Sequence, residues 1–364
     1  MFLSFIESEE WPLILRVDLL LSALFLILAL LFVGIVLYLR VLKNIKESHR
    51  KKLEIRLIDF VNSYLFDEDF KKSRELVAFK FKNLNTAFDF KIATKQILVF
   101  DENLKGESTQ AIKELYFGLG IHSFILSDLK RKEWFFKARA LYALSKMNIK
   151  VSQDLIDPLI NSSQIELRQQ VMLYFLNTSE KDPLVFLDKL ETPLTIWQQV
   201  FIENSLKNFE IEIPDFSRWL NHNEDSVIVF CIKMIVSFNQ FQNIPLLIDM
   251  LDHNAPEVRN QTICALQLME VSESLQLMVA NFPDETPSNK RDILYAISKI
   301  GTSKELQTLV AHISKEEENL QIDFYKIAGA FEDQIPVRRL VNLETLSDNW
   351  EDYQDYSLKM LTGA

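Results

Sequence analysis

One spacing constrains this chain more than any other feature. Apolar side chains recur at offsets 0, 4, 7, 8 and 11 within short stretches. These stretches start about 31 residues apart, a period of the kind that builds repeat arrays. The clearest copy lies in Leu246 to Met269, which reads as two short helices joined by a polar turn. Its second helix carries Val258, Thr262, Ala265, Leu266 and Met269. Those offsets fall on one face of an α-helix. A chain that repeats such a face at a fixed period must bury it between neighbouring copies.

From residue 108 the stripe can be followed copy by copy. It reads Ser108, Ile112, Leu115, Tyr116, Leu119, then Phe136, Ala140, Ala143, Leu144, Met147, then Leu167, Val171, Tyr174, Phe175, Thr178. A weak copy follows at Trp197, Phe201, Asn204, Ser205, Asn208. Next comes Val227, Cys231, Met234, Ile235, Phe238, and then the copy at Val258. The last two are Asn289, Ile293, Ala296, Ile297, Ile300 and Leu320, Phe324, Ile327, Ala328, Phe331. Start-to-start spacings are 28, 31, 30, 30, 31, 31 and 31. Most copies follow another apolar segment, such as Leu155, Ile156, Leu159, Ile160 or Leu306, Leu309, Val310, Ile313. Two helices per unit at a fixed period predict an all-α chain folded as a right-handed α-solenoid of about eight or more helix pairs. With 7 glycines in 364 residues, a turn-rich β architecture is excluded.

The unit resembles the HEAT repeat, and more closely the short HEAT-like repeat of about 30 residues. The resemblance is carried by Leu251-Asp252, Val258-Arg259 and Cys264-Ala265-Leu266, and again by Ile160-Asn161 and Leu167-Arg168. It covers roughly residues 108 to 331. It implies a polar ladder between repeats, built from the turn residue and the second-helix arginine, here Asn161 with Arg168 and Asp252 with Arg259. Lys137, Ile228 and Lys290 occupy the arginine position elsewhere, so the ladder is expected to be partial. Neither the tetratricopeptide nor the ankyrin signature occurs.

A second feature lies ahead of the repeats. Leu19 to Leu39 carries no charge, and all but five of its side chains are Leu, Ile, Phe or Val. As a helix it spans about 31 Å, enough for a hydrocarbon core of about 30 Å. Those residues favour insertion by about 5–10 kcal/mol. The start is acidic, the run is long and no small-residue cleavage pattern ends it, so the segment reads as an uncleaved anchor rather than a signal peptide. Arg40, Lys43, Lys46, Arg50, Lys51 and Lys52 follow it against Glu47 alone. This block predicts an N-terminus outside the cell membrane and the body in the cytoplasm. It reads as a topology determinant, with contact to anionic headgroups as the second possibility.

The expected layout is therefore a short outer segment (1–18, with Trp11 near the interface), the anchor (19–39) and a basic stalk helix (40–66). Degenerate helices (67–107), the solenoid (108–335) and a cap or docking tail (336–364) follow. The net charge is −11, and outside the first 52 residues it is −13, which argues against nucleic acid as a partner. The two cysteines, Cys231 and Cys264, sit in packing helices and read as core residues. No catalytic or phosphate-binding motif is present, and no cofactor is expected. His222 and His253 stand one repeat apart in equivalent turns. They read as repeated turn chemistry, with a paired metal site as the alternative. The weak copy at Trp197, with Glu203, Asn204 and Asn208, is either a degenerate repeat or a groove that takes a partner.

These features point to a non-catalytic, membrane-anchored protein–protein interaction scaffold. The family resemblance adds an accessory role in an envelope or exopolysaccharide synthase assembly, with a membrane glycosyltransferase as partner. The alternative it offers is an enzyme of the bilin-lyase kind.

Overall fold

The computed structural model describes residues 13–331, apart from 68, 69, 71, 105, 180, 209–212, 314–317 and 330. The outer segment up to residue 12 and the tail from 332 lie outside the described residues. Among the described residues the chain is all-helical, with no strand. It divides into two compact units, Met1–Lys132 and Glu133–Ala364.

The first unit is built on α1, Leu13–Phe66, a single helix of 54 residues and so about 81 Å long. The reason it does not break lies in the sequence. It contains no proline, and Gly34 is its one glycine. Beyond the apolar run it consists largely of strong helix formers. Arg50 bridges Glu47 and Glu54 one turn away on either side. The helix is long and apolar enough to cross a membrane, and none of its apolar window is buried. Its last part behaves differently: Leu53, Leu57, Phe60, Val61 and Tyr64 are buried, at the i, i+4, i+7, i+8, i+11 spacing of a packed face. This face lies against α3 (Ala87–Asn103). Helices α2 (Lys72–Asn83), α4 (Glu107–Gly118) and α5 (Ile121–Leu129) complete the unit. At the start of α3, Thr86 and Asp89 form a reciprocal capping box.

The second unit contains α6 (Trp134–Lys146), α7 (Ile165–Thr178), α8 (Ile196–Asn208), α9 (Asp225–Ser237), α10 (Ile244–Asp249) and α11 (Pro256–Leu268). After these come α12 (Leu275–Asn281), α13 (Pro287–Ile300), α14 (Ser303–Ile313) and α15 (Glu318–Gly329). The longer second helices pack on one another in chain order: α6 on α7, α7 on α8, then α9 on α11, α11 on α13 and α13 on α15. Their stripes form the core. Val171, Val227, Cys231, Val258, Ala265, Leu266, Ile293, Ile297 and Phe324 are all buried. Several second helices end alike. Asn148, Asn239 and Glu270 take left-handed φ values of 48°, 53° and 58°. The next residue's N–H then reaches back to the carbonyls of Leu144, Ile235 and Leu266 at 2.9–3.0 Å, as in a Schellman cap.

The segments before the second helices differ from expectation. Between residues 153 and 159, 185 and 189, and 216 and 219 the chain forms short 3₁₀ turns, not α-helices. Each apolar run there is only a few residues long between polar turns, and Pro158 interrupts the first. Such a segment cannot complete an α-helical nucleus, whereas one tight turn suffices to bury Phe186, Leu187, Phe216 and Trp219. The copies at 108 and 136 follow the α-helices α3 and α5, and the last three copies follow α10, α12 and α14.

Candidate functional site

Asn161, Asp252 and Arg259 each bond a residue about one repeat period away, whereas Arg168 does not, and the pairs Asn161–Arg168 and Asp252–Arg259 do not bond each other. Arg259 holds Glu285 in a two-pronged ion pair, Nε to Oε1 at 2.6 Å and Nη2 to Oε2 at 2.9 Å. Its Nη1 donates to the carbonyls of His253 and Asn254. Asp252 instead accepts from Asn281 Nδ2 at 2.8 Å. Asn161 donates to the Lys189 carbonyl and accepts from the Glu191 N–H, both at 2.8 Å. Arg168 closes its own turn, donating to the Ser162 carbonyl at 2.6 Å. Other bonds span the same distance along the chain: Arg218 and Trp219 both bond Asp188, and Asn260 bonds Asn289 and Asp292. Apart from the Arg168 bond and the two Arg259 bonds to the His253 and Asn254 carbonyls, these partners stand 26–32 residues apart, close to one repeat period.

Burial raises the Glu285 carboxyl, but hydrogen bonds from Arg259 and Asn289 and the arginine charge outweigh it. The carboxyl therefore sits below the usual range, and the Arg259 guanidinium above it. Glu285 is buried and Arg259 half-buried, and the two are paired, so they act as structural clamps.

The weak copy requires a change of register. Trp197 is 81% exposed, and Asn204 and Asn208 are exposed too. The buried residues of α8 are Gln198, Gln199, Ile202 and Leu206. The stripe therefore starts at Gln198, one residue later than its hydrophobicity suggested. Polar residues do not interrupt the core at Asn204 and Asn208, because those positions face solvent. A local signal fixes the frame. Thr195 and Gln198 form a capping box, with Gln198 Oε1 accepting from the Thr195 N–H at 2.9 Å and Thr195 Oγ1 from the Gln198 N–H at 3.3 Å. In this frame Glu203 accepts from Lys207 and from Ser237 of α9. We expect Ile202→Ala to cost about 2–5 kcal/mol and Trp197→Ala clearly less in thermal unfolding of the full chain. The opposite ranking would restore the register that starts at Trp197.

The histidine turns are satisfied by the backbone. His222 Nδ1 accepts from the Glu224 N–H and His253 Nδ1 from the Ala255 N–H, at 3.0 and 3.1 Å. His222 Nε2 also lies 3.0 Å from the Leu187 carbonyl oxygen. Among the described residues no three His, Cys, Asp or Glu side chains are grouped to hold a metal. Cys231 is buried and Cys264 half-buried, and burial pushes both thiols up, which leaves neither activated as a nucleophile.

The basic residues Arg40, Lys43, Lys46, Lys51 and Lys52 are exposed on α1, directly beyond its apolar run, and Arg50 is tied to Glu47 and Glu54. One residue of this stretch reaches the packed part of the unit. His49 Nε2 lies 2.6 Å from the buried carboxylate of Asp89, which completes the capping box of α3 with Thr86. No protein-family model matches the chain, and no curated protein matches its sequence.

Proposed function

We propose that this protein is a membrane-anchored interaction scaffold. In this reading the apolar part of α1 spans the cell membrane, and the stacked second helices form a HEAT-like α-solenoid on its cytoplasmic side. The solenoid binds a protein partner and does no chemistry of its own. One observation carries the proposal: α1 runs without a break from an unburied apolar stretch of membrane-spanning length into a buried face packed on α3. A continuous helix transmits position, so the helices packed on its end are held close to the bilayer.

The exposed basic block fits the positive side of an anchor and the headgroup layer of an anionic leaflet. The repeating contacts between second helices fit a solenoid, which binds through extended shape rather than reactive groups. The partner class favoured by the repeat resemblance is a membrane-embedded glycosyltransferase or another subunit of an envelope assembly. Affinity purification of the full chain in mild detergent, followed by mass spectrometry, tests this. A membrane-protein partner in stoichiometric amount is the expected result, and recovery of chaperones alone would contradict it.

A further inference from the structure

The outward faces of the second helices are not alike. In each helix the side opposite the buried stripe carries the residues just before the stripe and those two, six and ten positions into it. On α9 that side presents Asp225, Ser226 and Lys233. On α6 to α8 it presents Trp134, Phe135, Tyr142, Ile165, Ile196 and Trp197, all exposed. Trp134, Ile165 and Ile196 stand one repeat apart from each other, at the same position of three consecutive repeats whose helices pack in order. Ile196 and Trp197 are 74% and 81% exposed. The same side also carries the exposed Glu166, Gln169, Asn204 and Asn208, so the large apolar residues gather at the starts of the three helices, and an exposed apolar cluster with a polar border marks a docking site. Its charge is biased on α6, while α7 adds the exposed Glu166. Helix α6 holds Lys137, Arg139 and Lys146 with no acidic residue, and Lys146 lies over the Tyr142 ring at 5.9 Å.

The chain itself contains a segment of complementary chemistry. Residues 344–361 read ETLSDNWEDYQDYSLKML, with Glu344, Asp348, Glu351, Asp352 and Asp355 against Lys359. Trp350 and Tyr353 are three apart and Leu361 follows eleven after Trp350, a spacing that would gather them on one side of a helix. Length permits the match within one molecule. From residue 331 to Trp350 the chain can extend about 60 Å. From α15 to α8 there are four helix-to-helix steps, about 40 Å. Helices α8 and α9 are joined in that series by Ser237 to Glu203 at 2.9 Å and Lys233 to Gln199 at 3.3 Å.

We propose that segment 344–361 binds across the exposed apolar face of α6–α8 of the same chain and covers it against outside partners. The tether supplies an effective concentration of about millimolar, so a weak contact suffices, and a partner must displace the segment to dock. The consequence for partners rests on the scaffold reading; the intramolecular contact does not.

A photo-crosslinking residue placed at Trp197 of the full chain, in detergent micelles, tests the contact. The expected result is a crosslink to peptides from 344–361 within monomers, unchanged over a tenfold range of protein concentration. The same probe at Lys233 should give at least tenfold less. Ile196→Glu, with the probe at Tyr142, should reduce the tail crosslink at least tenfold. Absence of tail peptides from the Trp197 product, or their presence only in dimers, would overturn the proposal. If that happens while a partner still co-purifies, the scaffold reading stands alone. Deleting 344–364 should raise partner recovery severalfold; unchanged or lower recovery would contradict the covering role.

Discussion

Replacing Glu285 with alanine is expected to destabilise the second unit by about 3 kcal/mol, the low end of what breaking a buried pair from one side costs. Glu285 accepts both arms of the Arg259 fork and a bond from Asn289 Nδ2 at 2.8 Å. Removing the carboxylate strands a guanidinium in a turn with little water. The low end applies because Arg259 retains some exposure and two carbonyl acceptors. For a unit of this size the melting temperature should fall by roughly 6–12 °C. The pair also sets a pH response. The folded-state carboxyl is depressed, so its contribution is present above the unfolded value of about 4.3. It is lost as pH falls through the lower folded value. Glu285→Gln should remove this part of the acid limb, keep most of the packing and cost about half as much at neutral pH. Parallel acid limbs for wild type and Glu285→Gln in pH-dependent unfolding would show that the pair does not carry this response.

The largest effect belongs to the apolar part of α1. Leu28→Arg combined with Leu31→Arg places two charges near the middle of the 19–39 run. Each adds about 2.5–3.5 kcal/mol and removes a favourable leucine, a swing of roughly 6–8 kcal/mol. The unmodified run favours insertion by about 5–10 kcal/mol, so the double variant is left between about −4 and +3 kcal/mol and should insert measurably less. Fractionation should move part of it from the membrane pellet to the soluble or aggregated fraction, whereas Leu28→Ala with Leu31→Ala stays in the pellet. Equal recovery of both variants in the pellet would mean that something other than this segment holds the chain there. The buried face at Leu53, Leu57 and Val61 belongs to the packed helices of the first unit and is untouched by these changes.

Much of the helical organisation could be read from the residues. The stripe at Val258, Thr262, Ala265 and Leu266 is buried as its spacing required. Even the polar Thr262 fits, because its hydroxyl returns to the Val258 carbonyl at 2.8 Å. Reading failed where the pattern was thin. In α8 the buried face carries Gln198 and Gln199, while Trp197 and Val200 point outward. Hydrophobicity alone therefore chose the wrong frame, and only the Thr195–Gln198 cap could have corrected it. The 3₁₀ segment at 153–159 has the apolar pattern of a helix, because a short apolar run does not reveal its pitch. The partners of Asp252 and Arg259 lay in the next repeat, at Asn281 and Glu285. The resemblance implied a ladder between repeats but named only Asp252 and Arg259, so Asn281 and Glu285 stayed unidentified. The apolar outer face of α6–α8 was visible in Trp134, Ile165 and Ile196 only once the frame of α8 was right.

The central claim is that α1 anchors a helical body on the cytoplasmic side of a membrane, where it can receive a partner. Protease added to sealed cells and to inside-out vesicles tests this most directly. The account predicts that the body from Trp219 to Gly329 sediments with membranes, resists protease in sealed cells and is degraded in inside-out vesicles. Digestion of that region in sealed cells, or its recovery in the soluble fraction, would contradict it.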